Sequence, residues 1–348
     1  MKGTNLNAGV YHHLKTNTIE FNGLRHIELQ NSNIGPECLK LVSEAIITNL
    51  KTLETACPIE SVNLSFNNVC LRMNKSLSFI DDEESFALNY DSEGFAELCR
   101  TLIRIGNDGN GSRLRRINLS NNILGKEGFS CLSTLLTEGP SCMLDWNLSG
   151  CSNTPKMLLP LFDGLKICRS IISLDLSNND MSHPVVAQSL ADALGVNPRL
   201  KSLNLSNCRL GVDGACAVFT KIGFGGYLEH MCLSENNIGD VGCKAAASCF
   251  EINKKLKSLD LQENNITDEG VAYITDVVIR RKYLNFLGLR WNPRVTNKTA
   301  LKIADMLKGD KNELRSFYIL GTGIDADGIN IIAAAIGNKK DVDIDLIP

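Results

Sequence analysis

The chain has 348 residues, 43% of them hydrophobic, and a formal net charge of -3 with both signs mixed along its length. That balance gives no electrostatic footprint for nucleic acid or for an anionic membrane, and no stretch approaches the roughly 20 apolar residues of a membrane span. Thirteen cysteines, with no secretory signal between Met1 and Leu24, read as free thiols of a reducing, cytoplasmic compartment.

In chain order, Met1 to Gly23 holds one short helical pattern, Gly9-Val-Tyr-His-His-Leu14, which is expected to cover the first coil. A phrase then begins and keeps returning: an apolar residue, two others, an apolar residue, one other, Leu, and Asn or Cys three positions on. Copies start near Leu24, Ile59, Leu114, Met143, Ile171, Leu200, Leu228, Leu256, Leu284 and Leu314, 28 or 29 residues apart where the array is regular. Each alternates apolar and polar residues like a short strand and is followed by a helical pattern. In the eighth copy Thr267 or Asp268 caps the helix start, and Val271, Ile274, Val277 and Val278 share one face. The rhythm breaks once, between Ile59 and Leu114. The extra residues read as an inserted loop at about 70–91, from Cys70 to Tyr90, plus the turn around Gly106, Gly109 and Gly111. A long loop in a compact body is functional, disordered or merely tolerated. A partial repeat at 341–348 closes the chain, with Asp341, Asp343 and Asp345 as gatekeepers of a strand edge.

A fixed period of this size marks a stacked-repeat protein. Strand plus full helix at this spacing resembles the ribonuclease-inhibitor-like class of leucine-rich repeats, over nearly the whole chain. The resemblance implies an α/β solenoid, a horseshoe with a parallel sheet on its concave face and helices on its convex face. The expected organisation is a single solenoid spanning 1–348.

Position nine of the phrase holds Asn67, Asn122, Asn179, Asn236, Asn264 and Asn292, with Cys151 and Cys208 in two copies. An amide both donates and accepts, so these residues are expected to form a structural ladder joining backbone groups of adjacent coils. Chemistry-bearing constellations are lacking. His12, His13, His26, His183 and His230 are scattered and no Cys-x-x-Cys occurs, so no metal or cofactor is expected. The glycines near Gly106 lack the Lys of a phosphate loop. Asp341, Asp343 and Asp345 lack the Gly and distal Glu of a calcium loop.

Positions two, three, five and seven are expected to face away from the core by strand alternation. Early and middle copies place small or charged residues there, among them Arg115, Arg116, Asn118, Asp175, Ser177 and Asn204. Late copies place Phe286, Arg290, Arg315 and Tyr318 there, with Trp291 at position eight. Aromatics clustered with Arg have the composition of interface hot spots. The resemblance therefore implies a non-enzymatic scaffold or adaptor that binds a protein partner on the concave face. Two alternatives stand beside it: a GTPase activator similar to the Ran GTPase activator, though without its acidic tail after Pro348, and a structural subunit of a cytoskeletal or ciliary assembly.

Overall fold

A computed structural model describes residues 25–50, 59–71, 90–107, 113–225, 227–281, 283–308, 314–337 and 343–345. The expected helix before Leu14, residues 72–89 of the insertion, the turn at Gly109 and Gly111, and Asp341 lie outside the described residues. The chain divides into two compact units, Met1–Ile171 and Ile172–Pro348.

In the first unit, strands β1 (His26–Glu28), β2 (Ser61–Asn63), β3 (Arg116–Asn118) and β4 (Asp145–Asn147) alternate with helices α1 (Pro36–Leu50), α2 (Glu93–Gly106), α3 (Gly125–Glu138) and α4 (Leu159–Ile167). A 3-10 turn, Pro155–Leu158, leads into α4. The strands pair in parallel and in phase, His26 with Ser61, Ser61 with Arg116 and Arg116 with Asp145. The second unit repeats the scheme. Its strands are β5 (Ser173–Asp175), β6 (Ser202–Asn204), β7 (His230–Cys232), β8 (Ser258–Asp260), β9 (Phe286–Gly288), β10 (Ser316–Tyr318) and β11 (Asp343–Asp345). Its helices are α5 (Pro184–Gly195), α6 (Gly211–Gly225), α7 (Gly239–Ile252), α8 (Asp268–Arg281), α9 (Asn297–Lys308) and α10 (Ala326–Ile336). Here too neighbouring strands are parallel and in register. A parallel neighbour needs a crossover, which the helix of each repeat supplies.

Each strand is three residues long, covering positions three to five. Positions one, four and six enter the core, as Leu200, Leu203 and Leu205 do. The helices close it from the other side; Val271, Ile274, Val277 and Val278 of α8 are all buried, on the expected face. Thr267 accepts the Glu269 N–H at 3.2 Å and caps α8. A second cap comes from the preceding repeat, where Asp240 accepts the N–H groups of Thr267 at 2.8 Å and Gly270 at 3.1 Å. Asp268 likewise accepts Thr296 N–H at 2.7 Å, and Asn297 accepts Asp325 N–H at 3.0 Å.

The turn after each strand has one geometry. Position eight is left-handed in all ten copies: Asn31, Phe66, Asn121, Gly150, Asn178, Asn207, Glu235, Glu263, Trp291 and Gly321, with φ between 50° and 74°. Asn and Gly adopt this region readily and bulky residues do not. Phe66 and Trp291 are therefore the unusual occupants, and both are exposed.

The described ends of the insertion expected at about 70–91 are held against the coil. Cys70 is fully buried, Leu71 forms an antiparallel bridge with Tyr90, and the Tyr90 ring lies against Gly125. Position seven, expected to face outward throughout, is turned in at five copies: Ser65, Ser120, Ser149, Ser177 and Ser234 are buried, because the strand has ended two residues earlier, whereas Gln30, Ser206, Gln262 and Arg290 stay half-buried.

The twelve described cysteines are free thiols. Burial pushes the Cys38 thiol up to about 11 and those of Cys208 and Cys249 to about 12, so they behave as small apolar residues.

Candidate partner-binding face

The face of each sheet away from the helices is built by positions three and five. In six copies position five is Asn or Asp whose side chain turns back on its own chain. Asn63, Asn118, Asn147, Asp175, Asn204 and Asp260 each accept the N–H two residues on, at 2.9–3.2 Å. This local turn makes Asn118, Asp175 and Asn204 structural groups of the strand end.

The pattern stops at β9, where position five is Gly288, and at β10, where it is Tyr318. Aromatic residues take over the surface at this point. The rings of Phe286 and Tyr318 meet edge to face, 5.1 Å between centroids at 88°, an arrangement worth about 0.5–1.5 kcal/mol beyond burial. The Arg290 guanidinium lies 4.1 Å over the Tyr318 ring. Its Nε donates to Asp345 of β11, whose other oxygen accepts the Ile319 N–H at 2.6 Å. The Tyr318 hydroxyl donates to Asp343 at 3.1 Å, which raises its titration above the ordinary tyrosine range. Phe286, Tyr318, Arg290, Asp343 and Asp345 thus hold one another in place across three strands. Gly288 is required beneath them, since a Cβ there would stand 2.4 Å from the Asp260 carboxylate.

Trp291 stands one residue beyond this cluster, 52% exposed. Its indole covers Gly321, the same turn position of the next repeat; a Cβ on Gly321 would lie 2.4 Å from Cε3. Arg315 is exposed at the start of β10 and forms no ion pair with a described residue. Arg115 and Arg116 belong to the first unit, where both are exposed and neither has an acidic partner among the described residues.

Of the expected site residues, then, the structure brings Phe286, Arg290 and Tyr318 into contact and sets Trp291 beside the next turn. Arg290 is paired, with Asp345. Asp343 and Asp345, read from the sequence as edge gatekeepers, lie on β11, last in the strand order, and also bond to the cluster. Their alignment with positions three and five of the last partial repeat was the available signal.

The ladder residues form bonds in both directions. Asn236 accepts the N–H groups of Cys208 and Leu210 at 3.1 Å each and donates to the carbonyls of Leu205, Leu233 and Ser234 at 2.6, 3.0 and 2.9 Å. Asn67, Asn264 and Asn292 repeat the pattern. Asn122 and Asn179 donate to the carbonyls of their own turns. The thiols of Cys151 and Cys208 donate to Leu119 and Leu176 carbonyls at 3.1 and 3.2 Å. A thiol cannot replace the amide oxygen, and the backbone carbonyl of each Cys takes that role, accepting Leu124 N–H at 3.0 Å and Met181 N–H at 2.8 Å.

Among the described residues no group of His, Cys, Asp or Glu side chains is arranged to hold a metal ion, and no helix is long and apolar enough to cross a membrane.

The family model described as Leucine Rich repeat matches residues 196–218, 227–245 and 253–274. The chain is 30% identical to a ribonuclease inhibitor of Mus musculus over 138 residues, 38% of the chain and 29% of that protein. It is 32% identical to a ribonuclease inhibitor of Sus scrofa over 133 residues, 37% of the chain and 28% of that protein. The chain thus spans under a third of the length of these relatives. In fold it is similar to the leucine-rich repeat-containing protein LegL7 of Legionella pneumophila, with TM-score 0.51 and 20% identity over 89% of this chain and 87% of that one.

Proposed function

The chain is a leucine-rich-repeat protein of the ribonuclease-inhibitor-like class, and from that premise we propose that it is a non-enzymatic scaffold holding a protein partner on the open face of its sheet. Leucine-rich-repeat proteins are in general protein-interaction modules. The observation that carries the reading here is the cluster of Phe286, Tyr318 and Arg290 braced by Asp343 and Asp345. Its side chains are already fixed by ring and ion-pair contacts, so a partner meeting them loses little side-chain entropy. Trp291 and Arg315 extend the surface with two exposed groups of the kinds that dominate interfaces. Arg115 and Arg116, without an acidic partner among the described residues, supply a positive patch on the first unit, suited to speeding association with an acidic surface. The free, buried thiols agree with a reducing cytoplasmic setting.

Both matched relatives are named for inhibiting ribonuclease, which makes a ribonuclease the first partner to try. The test is a photo-crosslinking amino acid placed at Arg315, at Trp291 or at Val241, which is exposed on α7. Crosslinks to one defined protein from Arg315 and Trp291, and none from Val241, are expected. Crosslinks from Val241 alone would put the binding surface on the helices and refute the reading.

A further inference from the structure

Charge is close to balance over the whole chain, but within Ile172–Pro348 it is sorted. Strands β5 to β11 run parallel, so every helix-to-strand connection of this unit falls along one edge and every strand-to-helix turn along the opposite edge. Among the described residues the turn edge is the more acidic, with Asp180, Asp213, Asp240, Asp268, Glu269 and Asp327 against Arg209, Arg294 and Lys298, Arg209 pairing with Asp180. Among the described residues the connection edge is the more basic, and the acids named next are already used. Glu229 bridges Lys201 at 3.0 Å and Lys257 at 2.7 Å, and those two lysines hold its carboxyl down at about 2. Glu251 pairs with Arg280, and Asp192 pairs with Lys221. Arg199, Lys254 and Lys255 remain exposed without an acidic partner among the described residues. Lys255 lies 5.0 Å over the ring of Tyr227.

Apolar side chains are interleaved with these cations on the same edge. Val196 follows α5, Tyr227 follows α6, Ile252 ends α7, and Ile279 and Tyr283 flank the end of α8; their exposures run from 37% to 52%. Helix dipoles account for cations near helix C-termini. They do not account for an exposed aliphatic or aromatic residue at four connections in succession. A phosphodiester backbone or an acidic peptide would engage the cations and leave Val196, Ile252 and Ile279 in water. The headgroup boundary of an anionic bilayer takes both, with phosphates and carboxylates on Lys and Arg and the apolar side chains at the acyl edge.

We propose that the helix-to-strand edge of Ile172–Pro348 docks on an anionic lipid surface. The proposal is independent of the partner on the sheet face, which this orientation leaves open to solvent.

Co-sedimentation with phosphatidylcholine vesicles, with and without phosphatidylserine, at physiological ionic strength tests it. The protein is expected to sediment only with the phosphatidylserine vesicles. Lys254→Glu with Lys255→Glu should weaken binding about tenfold or more. Ile252→Ser with Ile279→Ser should weaken it at unchanged charge, and Lys298→Glu, on the turn edge, should leave it intact. All these side chains are exposed, so circular dichroism should report a folded protein in each case. No sedimentation with phosphatidylserine, equal sedimentation with phosphatidylcholine alone, or indifference to the Lys254 and Lys255 changes would overturn the proposal. Binding to poly-glutamate that is insensitive to the isoleucine changes would assign the edge to an acidic protein and overturn it equally.

Discussion

Replacing Asn236 by Ala removes five hydrogen bonds, but the five are not equivalent. The Leu233 carbonyl keeps the Asn264 amide at 2.8 Å and the Ser234 carbonyl keeps the Asn207 N–H at 2.8 Å. The N–H groups of Cys208 and Leu210 and the carbonyl of Leu205 have no other partner among the described residues. A buried polar group left unpaired costs about 1–3 kcal/mol, so three cost roughly 3–9 kcal/mol before water re-enters. Alanine leaves room for a bridging water, and the lower end, about 3 kcal/mol, is expected. Asn236→Cys should cost about half as much. Its thiol can reach the Leu205 carbonyl and its own carbonyl can turn inward, as those of Cys151 and Cys208 do. Urea unfolding followed by circular dichroism measures both variants, and the slope should stay constant while the midpoint falls. Equal midpoints for the Ala and Cys variants would refute the partition between orphaned and retained partners, and an unchanged midpoint for Ala would refute the ladder's structural role.

Three further outcomes are expected. Gly321→Ala meets a left-handed φ of 74° and the Trp291 ring together, and should destabilise by about 2–3 kcal/mol; in a Trp291→Ala background the cost should fall to about 1 kcal/mol, the conformational part alone. The Glu229 carboxyl is held down at about 2 by Lys257 and Lys201. A depressed acid stabilises above its unfolded pKa and loses that contribution as pH falls through the folded one, so the stability gap between the wild type and Glu229→Gln should be flat above pH of about 4.5 and close by about 2. Its size should stay under about 1 kcal/mol, because the pair is at the surface. Excising residues 72–89 with a short turn should leave the unfolding midpoint within about 0.6 kcal/mol, whereas extending the cut through Asp91 removes the Tyr90 ring from Gly125 and its bond to Asn153 and should cost about 1–2 kcal/mol.

The periodic part of the fold was legible in the sequence because period and geometry are one fact there. Leu203 and Leu205 had to be buried, Asn236 had to face the turn, and Val271 and Ile274 had to share a helix face. What failed was the extension of that periodicity past its range. Alternation placed Ser177 on the open face, but the chain leaves the strand at Asp175. The pairing of Arg290 with Asp345 joins different copies through side-chain length, which no repeat pattern encodes. Phe66 passed unnoticed because its oddity is a backbone torsion, visible only once position eight proves left-handed everywhere. Net charge, averaged over both edges of Ile172–Pro348, concealed the sorting of its signs.

The bonds between successive repeats of Ile172–Pro348 run both ways but carry different cargo. Asn264 reaches back to serve N–H groups of the turn before it, whereas Asp240 reaches forward to close the start of the helix after it. Trimming such a stack therefore leaves unlike wounds at its two ends. A cut that removes the later repeat strips acceptors from a buried turn, and the damage is polar groups without partners. A cut that removes the earlier repeat uncaps an exposed helix, which frays by a turn and survives. Shortened versions of this array should consequently tolerate loss from the N-terminal side of the unit better than loss from the C-terminal side. A cap designed for each end needs a different group: a buried acceptor at the C-terminal end and a surface carboxylate at the N-terminal one.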